Sequence, residues 1–396
     1  QWPASGHGDA GGQMARRLLR ARVTVVVVAG LLGFVLATGV LAVREVRAGD
    51  RFDLVRWEIE TFPNRWLGLV GAPFRGERDP DEVLAEYFAL DPGDPARRVL
   101  ENQVERIVEG RIDTVLHELH LSARLALPGT VFPPVDLELA TSPQVLVTSP
   151  REVIERRSTD LLRADLDTEA ALTIERDAEA DDGGISALVV GSGGVATYPA
   201  IVSDRTSYFG VLATSAHEWV HHYLAFYPLG FRYAESGDLR TINETVADLV
   251  GEEVARIVYE RWGDPTPGFT TPAVAPATTP STVVDRSQVL RDLRLEVDAL
   301  LEDARVAEAE QRMEEVRREL EEAGIYIRRI NQAFFAWFGT YAARPDATDP
   351  LGGYLREIRE RSGSLDAFLA NVRDTGSRED VVGVLERLGG AAEGAR

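Results

Sequence analysis

The chain has no cysteine, no lysine and only 2 methionines among its 396 residues. Without cysteine there can be no disulfide, no iron–sulfur cluster and no thiolate-ligated zinc, so any metal centre must be built from His, Asp and Glu. Positive charge is scarce as well: 43 basic side chains, all arginine, stand against 64 acidic ones, for a net charge of −21. That balance lacks the basic footprint that a phosphate backbone requires, and it argues against nucleic acid as a partner. No repeat of fixed period is present, which argues against a solenoid. The glycine cluster Gly191-Ser192-Gly193-Gly194 lacks the spacing of a dinucleotide loop and reads as a turn. With 44% hydrophobic and 27% charged residues the chain is core-forming rather than disordered. A lysine-free composition rich in Ala, Gly, Val and Arg points to a GC-rich, bacterial coding sequence.

One hydrophobic run reaches membrane length. Val23–Val43 is uncharged, and a helix of that length rises about 30 Å, the thickness of the hydrocarbon core. It is read as a single transmembrane helix anchoring the protein. The alternative is a signal peptide cut after Ala48, but the apolar core of a signal runs only about 7–15 residues. Arg16, Arg17, Arg20 and Arg22 precede the span and Arg44, Arg47, Arg51 and Arg56 follow it, so arginine counts alone leave orientation tied. The short basic head resembles an export signal, and the main domain is therefore expected outside the cytoplasm. Residues 1–22 form a short N-terminal segment in which Met14 is the expected start and 1–13 an upstream extension.

The expected fold class is mainly α with a small β-sheet (α+β). Residues 51–130 read as a helical region, in which Val83, Tyr87 and Leu90, then Val99, Val104 and Ile107, recur at helical spacing. Residues 131–265 read as a core unit of strands and helices. Val135–Leu139 and Val145–Val147 favour strands, Arg151–Ala180 is predicted helical, and Ile185–Val190 with Val195–Val202 is predicted to form a hairpin across the glycine cluster. Two helices follow, near Tyr208–Tyr227 and Asp238–Trp262. Residues 266–283, rich in Pro and Thr, are a loop, and 284–396 a helical C-terminal region.

Three of the 6 histidines fall in His217-Glu218-Trp219-Val220-His221-His222. Residues i and i+4 of a helix lie about 40° apart around its axis, so His217 and His221 can reach one tetrahedral ion, with Glu218 placed to take a proton from a water on it. A hydrolytic site needs a third protein ligand. Glu244, in Thr241-Ile-Asn-Glu-Thr-Val-Ala-Asp248 on the next helix, supplies it, and Asp248 shares its face and can accept the free N–H of a liganding histidine.

HExxH followed some twenty residues later by N-E-x-x-x-D on a second helix resembles the gluzincin zinc peptidases, the clan of thermolysin. The resemblance implies a zincin-like fold, Zn2+ as cofactor, His217, His221 and Glu244 as ligands, Glu218 as general base, and Asp248 supporting His217. It also implies a substrate-binding edge strand where the pair Ile185–Val202 lies. Asn243-Glu-Thr-Val-Ala247, Asn331-Gln-Ala333 and Ser364-Leu-Asp-Ala-Phe368 are similar to a bacterial family of predicted aminopeptidases. No histidine follows His222, so the clan's distal histidine has no counterpart, and Tyr259, Tyr326 or Tyr341 would have to stabilise the transition state.

Other candidates read as structure. His222 points about 100° from the ligands and is expected to bond a loop carbonyl. His117 and His120 belong to a helix surface, Trp219 to the core, and the acid-rich run Glu302–Glu322 to a solvated helix face with i,i+4 pairs. The expected function is a membrane-anchored zinc peptidase acting on a peptide or protein. The alternative is a non-catalytic tethered protein whose site holds a structural ion or has decayed.

Overall fold

The computed structural model describes residues 49–54, 57, 78–123, 129–266, 284–342, 344–345 and 347–391. The expected membrane helix Val23–Val43 and nearly all of the Pro/Thr-rich loop lie outside them. Among the described residues no helix is long and apolar enough to cross a membrane.

The architecture is mixed α/β and mostly helical. In chain order it comprises α1 (Pro80–Ala89), α2 (Pro95–Glu118), β1 (Leu137–Ala140), β2 (Gln144–Pro150), β3 (Ser158–Leu162), α3 (Thr168–Asp181), β4 (Ile185–Gly191), β5 (Gly194–Val195), β6 (Ala200–Ser203) and α4 (Tyr208–Leu224). There follow α5 (Pro228–Phe231), α6 (Gly237–Trp262), α7 (Arg286–Glu302), α8 (Val306–Glu322), α9 (Gln332–Phe338), α10 (Leu351–Arg361), α11 (Leu365–Val372) and α12 (Arg378–Arg387). The strands form two three-stranded sheets, one antiparallel in the order β3-β2-β4, the other β1-β6-β5 with β1 parallel to β6.

Helix starts follow local chemistry. Asp79, Asp94, Asp167, Ser207, Ser236 and Ser364 each accept a first-turn N–H, and proline occupies the first turn of α1 and α2, where its missing donor costs nothing.

The first sheet is covered on both faces, which is why Val145–Val147 of β2 and Ala187–Val190 of β4 read as short continuous apolar runs, while the edge strand β3 carries Ser158, Thr159 and Asp160. Val145, Val147 and Leu188 face α7, α8 and α9. Leu146, Ala187 and Val189 face Ala171 and Ala178 of α3. The largest core joins α1, α2, β1, β6, α4, α6 and the last three helices, with Trp219, Tyr223, Val250 and Phe368 at its centre. The helices after residue 284 therefore divide between two cores.

Each sheet has one outer edge closed by a helix carrying glutamates four residues apart. Leu137 and Leu139 of β1 donate their N–H groups to Glu109 (3.0 Å) and Glu105 (2.9 Å) of α2. Ala187 and Val189 of β4 donate to Glu179 (2.9 Å) and Glu175 (2.6 Å) of α3. The geometry matches itself: one helical turn advances about 5.4 Å, close to the spacing of alternate strand residues. Glu175 is wholly buried and is also paired with Arg328 and Arg329, so its charge is not left uncompensated.

The hairpin expectation is overturned. Ile185–Val190 is a strand, but it pairs with β2, whereas Val195–Val202 splits into β5 and β6 of the other sheet. The second run is interrupted at Thr197-Tyr198-Pro199, and Pro199 has no N–H to donate to a ladder. The glycine cluster is thus the passage between sheets. Within Arg151–Ala180 only Thr168 onward is helical. Ser158–Leu162 is drawn into β3 by pairing with β2, a partner outside its own segment. In α2 the inward stripe is Leu100, Val104, Val108 and Ile112, while Val99 is 74% exposed. The acid-rich run is also broken at Asp303–Arg305, where Ala304 takes a positive φ of 58° between α7 and α8.

Candidate metal centre

Helices α4 and α6 cross in close contact, and a glycine makes this possible. A Cβ on Gly251 would lie 2.9 Å from the backbone N of His217 and 3.0 Å from the carbonyl oxygen of Ala213. Glu244, Asp248 and Gly251 repeat at helical spacing on one face of α6, so the approach that Gly251 permits brings the two acidic residues against the histidines of α4.

His217 Nε2, His221 Nε2 and Glu244 Oε2 converge. The nitrogens are 3.0 Å apart, and the carboxylate oxygen is 3.4 Å from the first and 3.5 Å from the second. A tetrahedral ion with bonds of about 2.05 Å separates its ligand atoms by about 3.3 Å. The triangle is therefore of the right size, and these three residues are the one such group among the described residues.

The surrounding hydrogen bonds fix what those atoms are. Asn243 donates its Nδ2 hydrogen to Leu229 O (3.1 Å), which turns its Oδ1 toward His221 Nδ1 at 2.7 Å. An amide oxygen only accepts, so His221 carries its proton on Nδ1 and presents a lone pair at Nε2. Asp248 does the same for His217, whose Nδ1 lies 3.0 Å from Oδ1. Tyr233 donates its hydroxyl to Glu244 Oε1 at 2.5 Å, leaving Oε2 to face the two imidazoles. Three lone pairs pointed at one place repel one another; in the metal-free protein a proton on His217 relieves this, and a metal ion at their centre would take its place. The residues present fit a metal ion.

The electrostatics call for a positive charge at the centre of the three atoms, whether proton or metal. Burial pushes the Glu244 carboxyl upward, but His221 and His217 outweigh it and hold the group well below the carboxylate range. Burial lowers His217, and this is overcome by Asp248 and Glu244, which raise it well above its ordinary value. Glu218 lies 5% exposed beside the triad and is raised by burial, with the histidines opposing. β5 passes directly against it: a Cβ on Gly194 would sit 2.5 Å from Glu218 Oε1.

Of the three tyrosines considered from sequence, Tyr341 has its ring beside a ligand, with centroids 6.4 Å apart from His217. The Thr245 hydroxyl accepts the Ala342 N–H at 3.1 Å, pinning the segment after α9 to the helix that carries Glu244. Tyr259 instead donates to Asp264 and packs on Phe209. Tyr326 is 71% exposed. His222 bonds Thr197 O at 2.7 Å, Trp219 is buried with its N–H on Pro133 O, and His117 is exposed on α2, all as expected, whereas the exposed His120 lies in the turn past that helix, at a φ of 58°. Asn331-Gln-Ala333 has a docking role: Asn331 bonds Ala187 O, Gln332 bonds Arg151 O, and Ala333 N bonds Ser186, which seats α9 on β4 and the β2–β3 connection.

Sequence reasoning missed Tyr233, Gly194, Gly251 and the bonding of Asn243. The two glycines lie in segments read for other features, and Tyr233 sits in the loop between the motif helices, where no periodicity marks it. No family model matches the chain, and neither a curated protein nor a solved structure matches it.

Proposed function

We propose that this chain is a zinc-dependent hydrolase of peptide bonds, held at a membrane by Val23–Val43, with the site outside the cytoplasm. The observation that carries the reading is the convergence of His217, His221 and Glu244, each held by a second hydrogen bond, next to a buried carboxylate, Glu218, that is not one of the three. A structural zinc usually takes four protein ligands, whereas a catalytic one takes three and keeps a position open. Three donors with Glu218 alongside favour the catalytic reading over a structural or decayed site.

When bound, Zn2+ supplies Lewis acidity, which lowers the pKa of water and polarises a carbonyl. The residues of the chain do the rest. Asp248 and Asn243 hold the imidazoles in the tautomer that leaves Nε2 free. Glu218 takes the proton of the attacking water and delivers it to the leaving amine, a task suited to a carboxyl raised by burial. Tyr341, half-buried beside His217, donates its hydroxyl to the oxygen that gains charge. The exposed edge of β5 aligns an extended substrate against Glu218.

The test compares wild type with Glu218→Gln at matched zinc content on a peptide library. Metal and fold should be retained while turnover falls by about 10²–10⁴-fold. Equal, nonzero rates would remove Glu218 as the base. No cleavage by zinc-loaded wild type would favour the non-catalytic tethered protein.

A further inference from the structure

Two arginines next to the triad are not matched with carboxylates. Arg156 lies in the connection between β2 and β3, and Arg240 in the first turns of α6, so they reach the same place from different cores. Both are half-buried, and among the described residues neither forms an ion pair. The Arg156 guanidinium lies 5.5 Å from the centre of the Trp337 ring and reaches Tyr233 OH at 3.4 Å, while its Nε is buried without a hydrogen-bond partner. The Arg240 guanidinium lies 5.9 Å from the centre of the same Tyr233 ring. Burial, and then the charge of Arg156, lower the pKa of Arg240, against the pull of Tyr233, Glu244 and Glu155, none of which pairs with it directly.

In a chain with 64 acidic side chains this is an unusual pairing. Two other half-buried arginines are met with acid, Arg378 by Asp238 and Asp349 and Arg359 by Glu253, whereas the buried Arg97 bonds a backbone carbonyl and lies over the Tyr87 ring. Two partly desolvated cations kept together disfavour the protein unless an anion joins them. Guanidinium forks suit carboxylate geometry and are weakly hydrated, so they lose little on receiving one. The position sets where that anion belongs. Tyr233 bonds both Arg156 and Glu244, which places the guanidinium two hydrogen bonds from the triad, a distance spanned by about one or two residues of extended peptide.

We infer that Arg156 and Arg240 form a carboxylate subsite, and that the substrate is a peptide bearing a carboxylate within two residues of the bond cut, either an acidic side chain or a free C-terminus. This rests on the peptidase reading for its context, but binding can be measured without hydrolysis. The probes are three tetrapeptides titrated calorimetrically into the metal-depleted protein: a glutamate-containing amide, its glutamine counterpart as an amide, and the glutamine peptide with a free C-terminal carboxylate. At least one charged probe should bind about tenfold or more tighter than the neutral one. That advantage should shrink with rising salt, and it should vanish in Arg156→Gln and in Arg240→Gln. The charged probe that binds identifies the source of the carboxylate. The proposal is overturned if the neutral peptide binds as tightly as both charged ones, if no charged probe binds, or if the advantage survives in a folded variant of either arginine. Should Arg156→Gln fail to fold, Arg240→Gln, in the opening turns of a helix, decides alone. Absence of turnover with zinc would refute the peptidase reading and leave the binding comparison intact.

Discussion

Tyr233 donates its hydroxyl hydrogen to Oε1 of Glu244 at 2.5 Å, so that the other oxygen of this carboxylate alone faces His217 and His221. A carboxylate with one oxygen held offers a single, directed donor. Tyr233→Phe should keep the fold and lower zinc affinity by about 10–100-fold, read by competition with a chromophoric chelator. An unchanged affinity would mean that the packing of α6 orients Glu244 by itself.

Gly251 and Gly110 form a matched pair for testing the helix crossing. Alanine is the better helix former by about 1 kcal/mol, and on the open face of α2 at Gly110 a Cβ meets nothing within 4 Å. Gly110→Ala should therefore stabilise by about 0.5–1 kcal/mol. Gly251→Ala should instead cost about 1–3 kcal/mol and weaken zinc binding, because the new methyl pushes on the backbone of His217. Urea unfolding of the two variants measures both; stabilisation by Gly251→Ala would show that the helices can separate without penalty.

His222 gives the metal-free protein an acid limit. Its imidazole is lowered to about 4, chiefly by burial, while in the unfolded chain it returns to about 6.5. The unfolded state therefore binds the extra proton first. The stability owed to neutral His222 is complete above pH 6.5, falls as the pH drops through that value, and is exhausted near pH 4, a loss on the order of 3 kcal/mol. His222→Gln, which can still donate to Thr197 O, should flatten the decline in melting temperature across that window. Parallel curves for the two proteins would assign the acid limit to other groups.

Tyr341→Phe separates a role in turnover from a role in holding the metal. The tyrosine touches no ligand atom through its hydroxyl in the structure, yet its ring lies beside His217. Its removal should lower kcat by about 10²–10³-fold with zinc affinity unchanged. A loss confined to zinc affinity would make Tyr341 a packing residue.

The legible part of the site was the part carried by helix periodicity. His217, Glu218 and His221 on one helix, with Glu244 and Asp248 on another, announce themselves because residues i and i+4 share a flank whatever surrounds them. Tyr233 and Arg156 reach the same place from a loop and a strand connection, and Tyr341, one of three tyrosines considered, from the segment past α9; nothing in their own neighbourhoods singles them out. The sheets divide in the same way. Ile185–Val190 was recognisable as a strand from its apolar run, but its partner was not, because β2 lies more than thirty residues upstream and the nearer run across the glycines was the obvious choice. Asn331-Gln-Ala333 stood out as a motif, yet its work is to seat α9 on β4.

The paired glutamates along β1 and β4 bear on how copies of this chain behave toward one another. A free strand edge invites another copy to extend the sheet, and this is how many aggregates begin. On β1 and β4 the alternate N–H groups that would recruit such a strand are already taken by carboxylates anchored on the protein's own helices. An incoming backbone would meet acceptors where it needs donors, and its own carbonyls would be repelled. Growth by strand addition is thus blocked along both edges, and β5, only two residues long, offers too short a template to seed a fibre.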